Sequence, residues 1–133
     1  LIDMGVEPFL ITSSLLGVCA QRLVRTLCTH CKVKKQPNQQ EVDFLQGCAV
    51  EQLYAPKGCA KCHGTGYLGR TGIYEWMPMS PKIHEKVTAL SDASILYKTA
   101  LDEGMSSLAA SAMRLVALGI TTQEEILRVT KEV

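Results

Sequence analysis

Between Phe9 and Leu27 apolar residues recur at Ile11, Leu15, Cys19, Leu23 and Leu27, close to the helical period, with Leu16, Ala20 and Val24 widening the stripe. Ser13, Ser14, Gly17, Gln21 and Arg25 fall mainly on the other side. The spacing predicts one amphipathic helix, entered through Pro8 after a loop or strand end at Leu1 to Phe9. Cys19 lies on the stripe and reads as core, and Gly17, which costs about 1 kcal/mol relative to Ala inside a helix, reads as a point of close backbone approach. The stretch from Val33 to Pro56 opens polar, through Lys34, Lys35, Gln36, Pro37, Asn38, Gln39 and Gln40, then offers a short helix through Val42, Phe44 and Leu45. Tyr67-Leu68 and Gly72 to Pro78 carry the aromatic and β-branched residues of two short strands, with Gly69-Arg70-Thr71 as their turn and Trp76 assigned to packing.

From Ser80 the pattern changes to successive helices. Ser80 and Pro81 start one through Ile83, Val87 and Leu90. Asp92 caps a second, with Ile95, Leu96, Thr99 and Ala100 inward and Gly104 at its end. Ser106 or Ser107 caps a third through Leu108, Ala112, Leu115 and Val116, closed by Gly119, and the small residues Ala109, Ala110, Ser111 and Ala112 allow close packing. Thr121-Thr122-Gln123-Glu124 is a capping-box signal for the last, with Ile126, Leu127 and Val129 inward and Lys131 near its C-terminus. The expected fold class is α+β, mainly α.

Composition narrows the class. The chain has 133 residues, enough for one medium domain or two small ones, and its formal net charge of +1 argues against a dedicated nucleic-acid binder, whose affinity rests on phosphate neutralisation. The opening Leu1-Ile2-Asp3-Met4 reads as the middle of a longer protein, so an excised piece is expected. No apolar run approaches the roughly 20 residues of a membrane span. Charge is uneven: Arg22, Arg25, Lys32, Lys34, Lys35, Lys57, Lys61 and Arg70 outnumber Glu41, Asp43 and Glu51 in the central region. That is either a solvated surface or a basic face toward anionic lipid, nucleotide phosphate or an acidic partner.

The chemistry concentrates in Cys28-Thr29-His30-Cys31 and Cys59-Ala60-Lys61-Cys62. Each Cys-x-x-Cys can turn both sulfurs toward one ion at about 2.3 Å, and two such pairs complete a closed tetrahedral Zn²⁺ site that staples a fold and has no position left for catalysis. Gly58, Gly64 and Gly66 crowd the second pair because a tight knuckle needs left-handed backbone. Lys32, Lys57 and Lys61 would offset thiolate charge. The pairs are separated by about 27 residues, longer than the usual ribbon spacing of roughly 15–20. Buried reduced cysteines or two disulfides give no reason for the repeated spacing, and a dithiol redox centre needs one pair in a βαβ context. Six cysteines, with Cys19 and Cys48 outside the pairs, fit a reducing compartment. His30 and His63 sit in or beside the knuckles, where the four cysteines leave no place for them as ligands, and His84 stands apart. The sequence contains no Gly-x-x-x-x-Gly-Lys-[Ser/Thr] phosphate loop, Gly-x-Ser-x-Gly elbow or His-Glu-x-x-His, so these residues alone are not expected to hydrolyse ATP.

Leu1 to Phe9, Ser13 to Val18, Ala20 to Arg25, Leu27 to Cys31, Gly58-Cys59, Cys62 to Glu75 with its Gly69-Arg70-Thr71-Gly72, and Gly119 to Thr130 together resemble the C-terminal part of the bacterial type II secretion and type IV pilus assembly ATPases. The resemblance implies a cytoplasmic motor, peripheral on the inner membrane, that forms a homo-hexamer against platform proteins and uses ATP and Mg²⁺ in a RecA-like core upstream. It implies that residues 1–27 are the last helix of that core, 28–67 a four-cysteine metal subdomain and 68–133 a hairpin followed by a helical subdomain. It also implies that Cys28, Cys31, Cys59 and Cys62 bind structural zinc, and that Arg22 and Arg70 lie near nucleotide or a subunit interface, unless they make structural ion pairs. Two readings of other classes stand beside it. Cys59-x-x-Cys62-x-Gly64-x-Gly66 copies the repeat of a chaperone-type zinc module, although Cys28 to Val33 lacks the trailing glycines; a zinc ribbon would bind nucleic acid in a salt-dependent way.

Overall fold

The computed structural model describes residues 1–130; the expected position of Lys131 at the end of the last helix lies outside the described residues. The chain is mixed, with more helix than strand, as expected. Its order is a 3-10 turn (Ile2–Met4), α1 (Pro8–Ser14), β1 (Gly17–Leu27), β2 (Val33–Lys35), α2 (Gln39–Phe44), β3 (Leu53–Ala55), β4 (Tyr67–Pro78), α3 (Pro81–Thr88), α4 (Ala93–Asp102), α5 (Leu108–Ala117) and α6 (Gln123–Thr130). Two compact units share these elements. Unit 1 comprises Leu1–Ala20 and Glu75–Ser107, and unit 2 comprises Gln21–Tyr74 and the chain from Leu108 on.

The first correction concerns Phe9 to Leu27, which is not one helix. α1 begins at Pro8 as expected but stops when Leu15 turns to extended backbone (ψ 133°), and Gly17 opens an eleven-residue strand. Val18, Val24 and Thr26 favour a pleated surface, and β1 pairs with β4. In unit 2 the Thr26 hydroxyl donates to the Leu68 carbonyl and the Gln21 amide to the Tyr74 hydroxyl, so the strands run antiparallel. Strand pairing satisfies the backbone there, which outweighs the helical spacing of the apolar residues. Cys19 and Leu23 consequently lie exposed and not in a core. Gly17 does allow close approach: a Cβ there would stand 2.3 Å from the ring of half-exposed Trp76.

The second correction is that Tyr67 to Pro78 forms one strand. Gly69 takes a left-handed φ of 85° inside it, and the expected turn at Gly69-Arg70-Thr71 is not made. Between the cysteine pairs, β2 and β3 form an unexpected antiparallel ladder, Val33 opposite Ala55, Lys34 opposite Tyr54 and Lys35 opposite Leu53. The expected short helix is α2, held by a capping box between Asn38 and Glu41, with Leu45 just past its end.

Unit 1 packs Ile11, Ile83, Val87 and Ala100 against Val6, Leu15, Met77, Met79, Leu96 and Met105. Ser80 caps α3 and Pro81 opens it, as expected; Leu90 falls beyond the helix and Ile95 on α4 is exposed. Gly104, with φ 99°, follows the end of α4. Unit 2 has its own core of Val24, Leu45, Leu53, Ile73, Ala112, Val116, Ala117, Ile126 and Val129. α5 ends as expected at Gly119, where the Gly119 and Ile120 amides donate back to the Val116 and Leu115 carbonyls in a Schellman arrangement. The α6 cap is shifted by one residue from the expected box: the Thr122 hydroxyl accepts from the Glu125 amide. Leu127 is exposed, not inward.

Glu125 is the most consequential residue of unit 2 that the sequence did not single out. Its side chain is fully buried, and its oxygens accept from the Arg25 amide (3.0 Å), the Arg25 guanidinium (3.0 and 3.1 Å) and the Arg128 guanidinium (2.7 and 2.9 Å). Burial alone would raise its pKa, but these donors from Arg128 and Arg25 hold it at about 2, well below the ordinary 4.5. A carboxyl depressed in the folded state contributes stability that is complete above its unfolded pKa and fades as pH falls toward the folded one. Glu125→Gln is therefore expected to destabilise unit 2 by about 2 kcal/mol at neutral pH, allowing for two half-exposed arginines that can resolvate. In urea titrations the difference between parent and variant should stay full down to about pH 4.5 and shrink toward pH 2. A pH-independent difference would refute this account.

Candidate metal centre

The first cysteine pair sits at the turn where β1 gives way to β2, and the second in the knuckle between β3 and β4. Two contacts bring these distant turns together. The β2–β3 ladder closes the insert, and the Cys28 amide donates to the Gly66 carbonyl at 2.9 Å. The insert is thus folded, with α2 inside it, which explains why a spacing longer than the usual ribbon still assembles one cluster.

All four sulfurs lie within 4.8 Å of one another. Cys28 to Cys59 and Cys31 to Cys62 are each 3.8 Å, and Cys59 to Cys62 is 3.7 Å. A tetrahedron with metal–sulfur bonds of about 2.3 Å has edges about 1.6 times longer, near 3.8 Å. The described thiols therefore fit a single ion, and all six cysteines are free of disulfides. Cys28 and Cys62 are buried, Cys31 and Cys59 partly so.

The backbone around them is arranged for negative sulfur. The Gly58 amide donates to Cys31 at 3.3 Å, and the Cys59 and Gly66 amides both donate to Cys62 at 3.2 Å. Burial works against ionising Cys62, yet the Cys59 and Gly66 amides pull its pKa down to about 6. Burial pushes Cys31 up to about 11, with the Gly58 amide opposing and the neighbouring thiols of Cys62, Cys28 and Cys59 adding to the rise. Backbone donors thus favour charge on Cys62, while burial and the crowded thiols disfavour it on Cys31. A cation among them would remove that conflict, since a coordinated thiol is deprotonated.

Gly58, Gly64 and Gly66 have φ of 105°, 78° and 82°, as the knuckle reading expected. At Gly66 the need is doubled, because a Cβ would also stand 2.4 Å from Pro56 Cβ. Lys32 does something other than neutralise sulfur: its ammonium donates to the Gly119 carbonyl at 3.1 Å and lies 4.1 Å over the Tyr54 ring. His30 and His63 are exposed, and His63 turns with φ 55°. Spacing could not have revealed the partners of Lys32, because they come from β3 and from the end of α5.

Arg22 and Arg70 are not brought to the cluster by any hydrogen bond or ion pair among the described residues, and the structural ion pair considered for each is not formed there. Arg22 is half-buried on β1 and Arg70 exposed on β4.

Comparison with known proteins places these features in context. The family model described as "Type II/IV secretion system protein" matches residues 1–128. The chain is 44% identical over 132 residues to the type II secretion system protein HxcR of Pseudomonas aeruginosa, covering 99% of this chain and 25% of that protein. It is 41% identical over 132 residues to the type II secretion system ATPase E of Vibrio cholerae, covering 98% and 26%. It is 41% identical over 131 residues to the type IV pilus assembly ATPase TfpB of Acinetobacter baylyi, covering 96% and 22%. The chain therefore spans about a quarter of the length of these curated relatives.

Gly66→Ala tests the knuckle. It forces a side chain into left-handed backbone and against Pro56, and the expected loss is roughly 1–3 kcal/mol in urea unfolding. Gly64→Ala has φ 78° but open space around its Cβ, so it should cost less. Equal losses at the two positions would contradict the packing described.

Proposed function

The chain belongs to the type II/IV secretion system protein family, and from that premise we propose that it is the C-terminal metal-binding and helical part of a cytoplasmic, hexameric ATPase that powers protein export by type II secretion. The single observation carrying this reading is the high identity, over almost the whole chain, to relatives named for type II secretion. In this reading ATP is hydrolysed with Mg²⁺ in a RecA-like core beyond these residues, and the motor works on inner-membrane platform proteins to assemble a pseudopilus. No described helix is long and apolar enough to cross a membrane. The exposed lysines 34, 57 and 61 are candidates for contact with an anionic lipid surface.

Cys28, Cys31, Cys59 and Cys62 would hold one Zn²⁺, and the sulfur spacing supports it. With four protein ligands such a site supplies folding free energy and no catalysis. Arg22 and Arg70, which have no partner among the described residues, are left to meet a nucleotide phosphate or a neighbouring subunit. A second reading, a type IV pilus assembly ATPase, is favoured by the similarity to TfpB. Deleting the gene separates the two: loss of secreted protein with pili intact supports secretion, and loss of surface pili with export intact supports pilus assembly.

In the full-length protein Cys59→Ser is expected to abolish export, scored as secreted enzyme in the medium, and to release the metal. Full export from that variant would contradict the proposal. Arg22→Ala and Arg70→Ala should each lower ATPase turnover about tenfold, the equivalent of one charge-assisted hydrogen bond near 1.4 kcal/mol. Their thermal unfolding should stay within a degree or so of the parent, because neither side chain is tied into unit 2. Unchanged turnover would remove both arginines from the site.

A further inference from the structure

Four consecutive residues at the corner between α5 and α6 are each held by the cysteine loops or the strands leading into them. The Gly119 carbonyl accepts from Lys32 at 3.1 Å, and the Ile120 carbonyl accepts from the Leu27 amide at 2.8 Å. The Thr121 hydroxyl donates to the Arg25 carbonyl at 2.8 Å, and the Thr122 and Tyr67 hydroxyls share a bond of 2.8 Å. Leu27 and Lys32 immediately flank the first cysteine pair. Tyr67 follows Gly66, whose amide donates to Cys62 and whose carbonyl takes the Cys28 amide. Tyr54 completes the clasp: Lys32 lies over its ring, and the ring packs so closely on Gly119 that a Cβ there would stand 2.6 Å away.

We propose that binding of a divalent ion by the four cysteines and docking of the α5–α6 corner are coupled, with Lys32 as the positioning residue between them. The inference rests on the reading that the cysteines hold a metal. Lys32 is bonded to Cys31, so any shift of that sulfur moves the start of its side chain. Its ammonium reaches the carbonyl just past the C-terminus of α5, where the helix dipole favours a cation. A metal that fixes the loop therefore fixes the charge that caps α5. By linkage the corner must tighten the metal site to the same degree that the metal tightens the corner.

The test uses full-length protein with Co²⁺ as the probe, whose sulfur-to-metal charge-transfer absorption reports a four-thiolate site. Lys32→Met is expected to weaken Co²⁺ binding about tenfold in competition with a chelator, and Lys32→Arg to restore it. Tyr54→Leu changes no charge and should weaken binding in the same direction, which separates docking from simple attraction between Lys32 and thiolate. Stripping the metal from unaltered protein should speed hydrogen exchange at amides 117–122 while leaving α4 of unit 1 unchanged, and this measurement needs no variant to fold. Absence of the thiolate absorption would overturn the metal reading and the coupling with it. A normal spectrum with unchanged affinity in Lys32→Met and Tyr54→Leu, or unchanged exchange at the corner, would overturn the coupling alone.

Discussion

Four sulfurs within 4.8 Å of one another cannot all carry charge unless a cation shares the space. Unit 2 is built around that constraint. Its apolar core is small, nine buried side chains with Phe44, Cys48, Leu108, Met113 and Leu115 at its margin, and a core of that size leaves a small domain marginal on its own. The cysteine turns come from opposite ends of a folded insert, so an ion joining them closes a long stretch of chain at one point. The affinity of the metal proposed for this site would then count as folding free energy. Local backbone supports the same outcome, through amides aimed at Cys31 and Cys62 and glycines where the turns require left-handed φ.

The buried carboxylate of Glu125 solves a different problem. Beyond its pairing with β4, the β1 backbone has polar groups facing α6, and unpaired strand groups are costly when buried and invite mispairing when exposed. Glu125 accepts the Arg25 amide, Thr121 donates to the Arg25 carbonyl and the Ile120 carbonyl accepts the Leu27 amide. A helix corner thus finishes the edge of a strand. The charge of Glu125 is offset by two guanidiniums, and that of Arg25 is also spread over the Tyr67 ring at 4.2 Å.

What could be read in advance divides along physical lines. The four cysteines and their glycines were legible because Cys-x-x-Cys and the residues after it encode a local turn. The helix starts at Pro8, Ser80 and the neighbourhood of Thr122 were legible for the same reason: a cap is decided by a few adjacent residues. β1 was misread because Ile11, Leu15, Cys19, Leu23 and Leu27 keep helical spacing while the partner strand that decides the matter lies some forty residues away; Gly17, Val18, Val24 and Thr26 were the available counter-signals. β4 was divided at Gly69 because a glycine beside Arg70 and Thr71 looks like a turn, whereas here it sits beside Thr26 within a continuous strand. Glu125 carries no mark of its own in the sequence, since Glu124 next to it is exposed and only burial tells them apart.

The two units also differ in what holds them. Unit 2 combines its core with the ion pairs Arg25–Glu125, Arg128–Glu125 and Lys35–Glu41, the strand ladders and the cysteine cluster. Such directional contacts have one good geometry, so they resist small displacements. Unit 1 relies on Ile11, Ile83, Val87 and Ala100 with Met77, Met79 and Met105 around them, and thioether side chains repack at little cost. Apolar side chains such as Leu16 and Phe9 remain at its surface. In the motor proposed above, a stiff body and a compliant one would have separate uses: the first would convey motion without absorbing it, and the second would adjust its surface to what it meets. The four-cysteine cluster belongs to the stiff body, so the closed metal centre proposed for it, with no chemistry of its own, would still matter to the work of the whole.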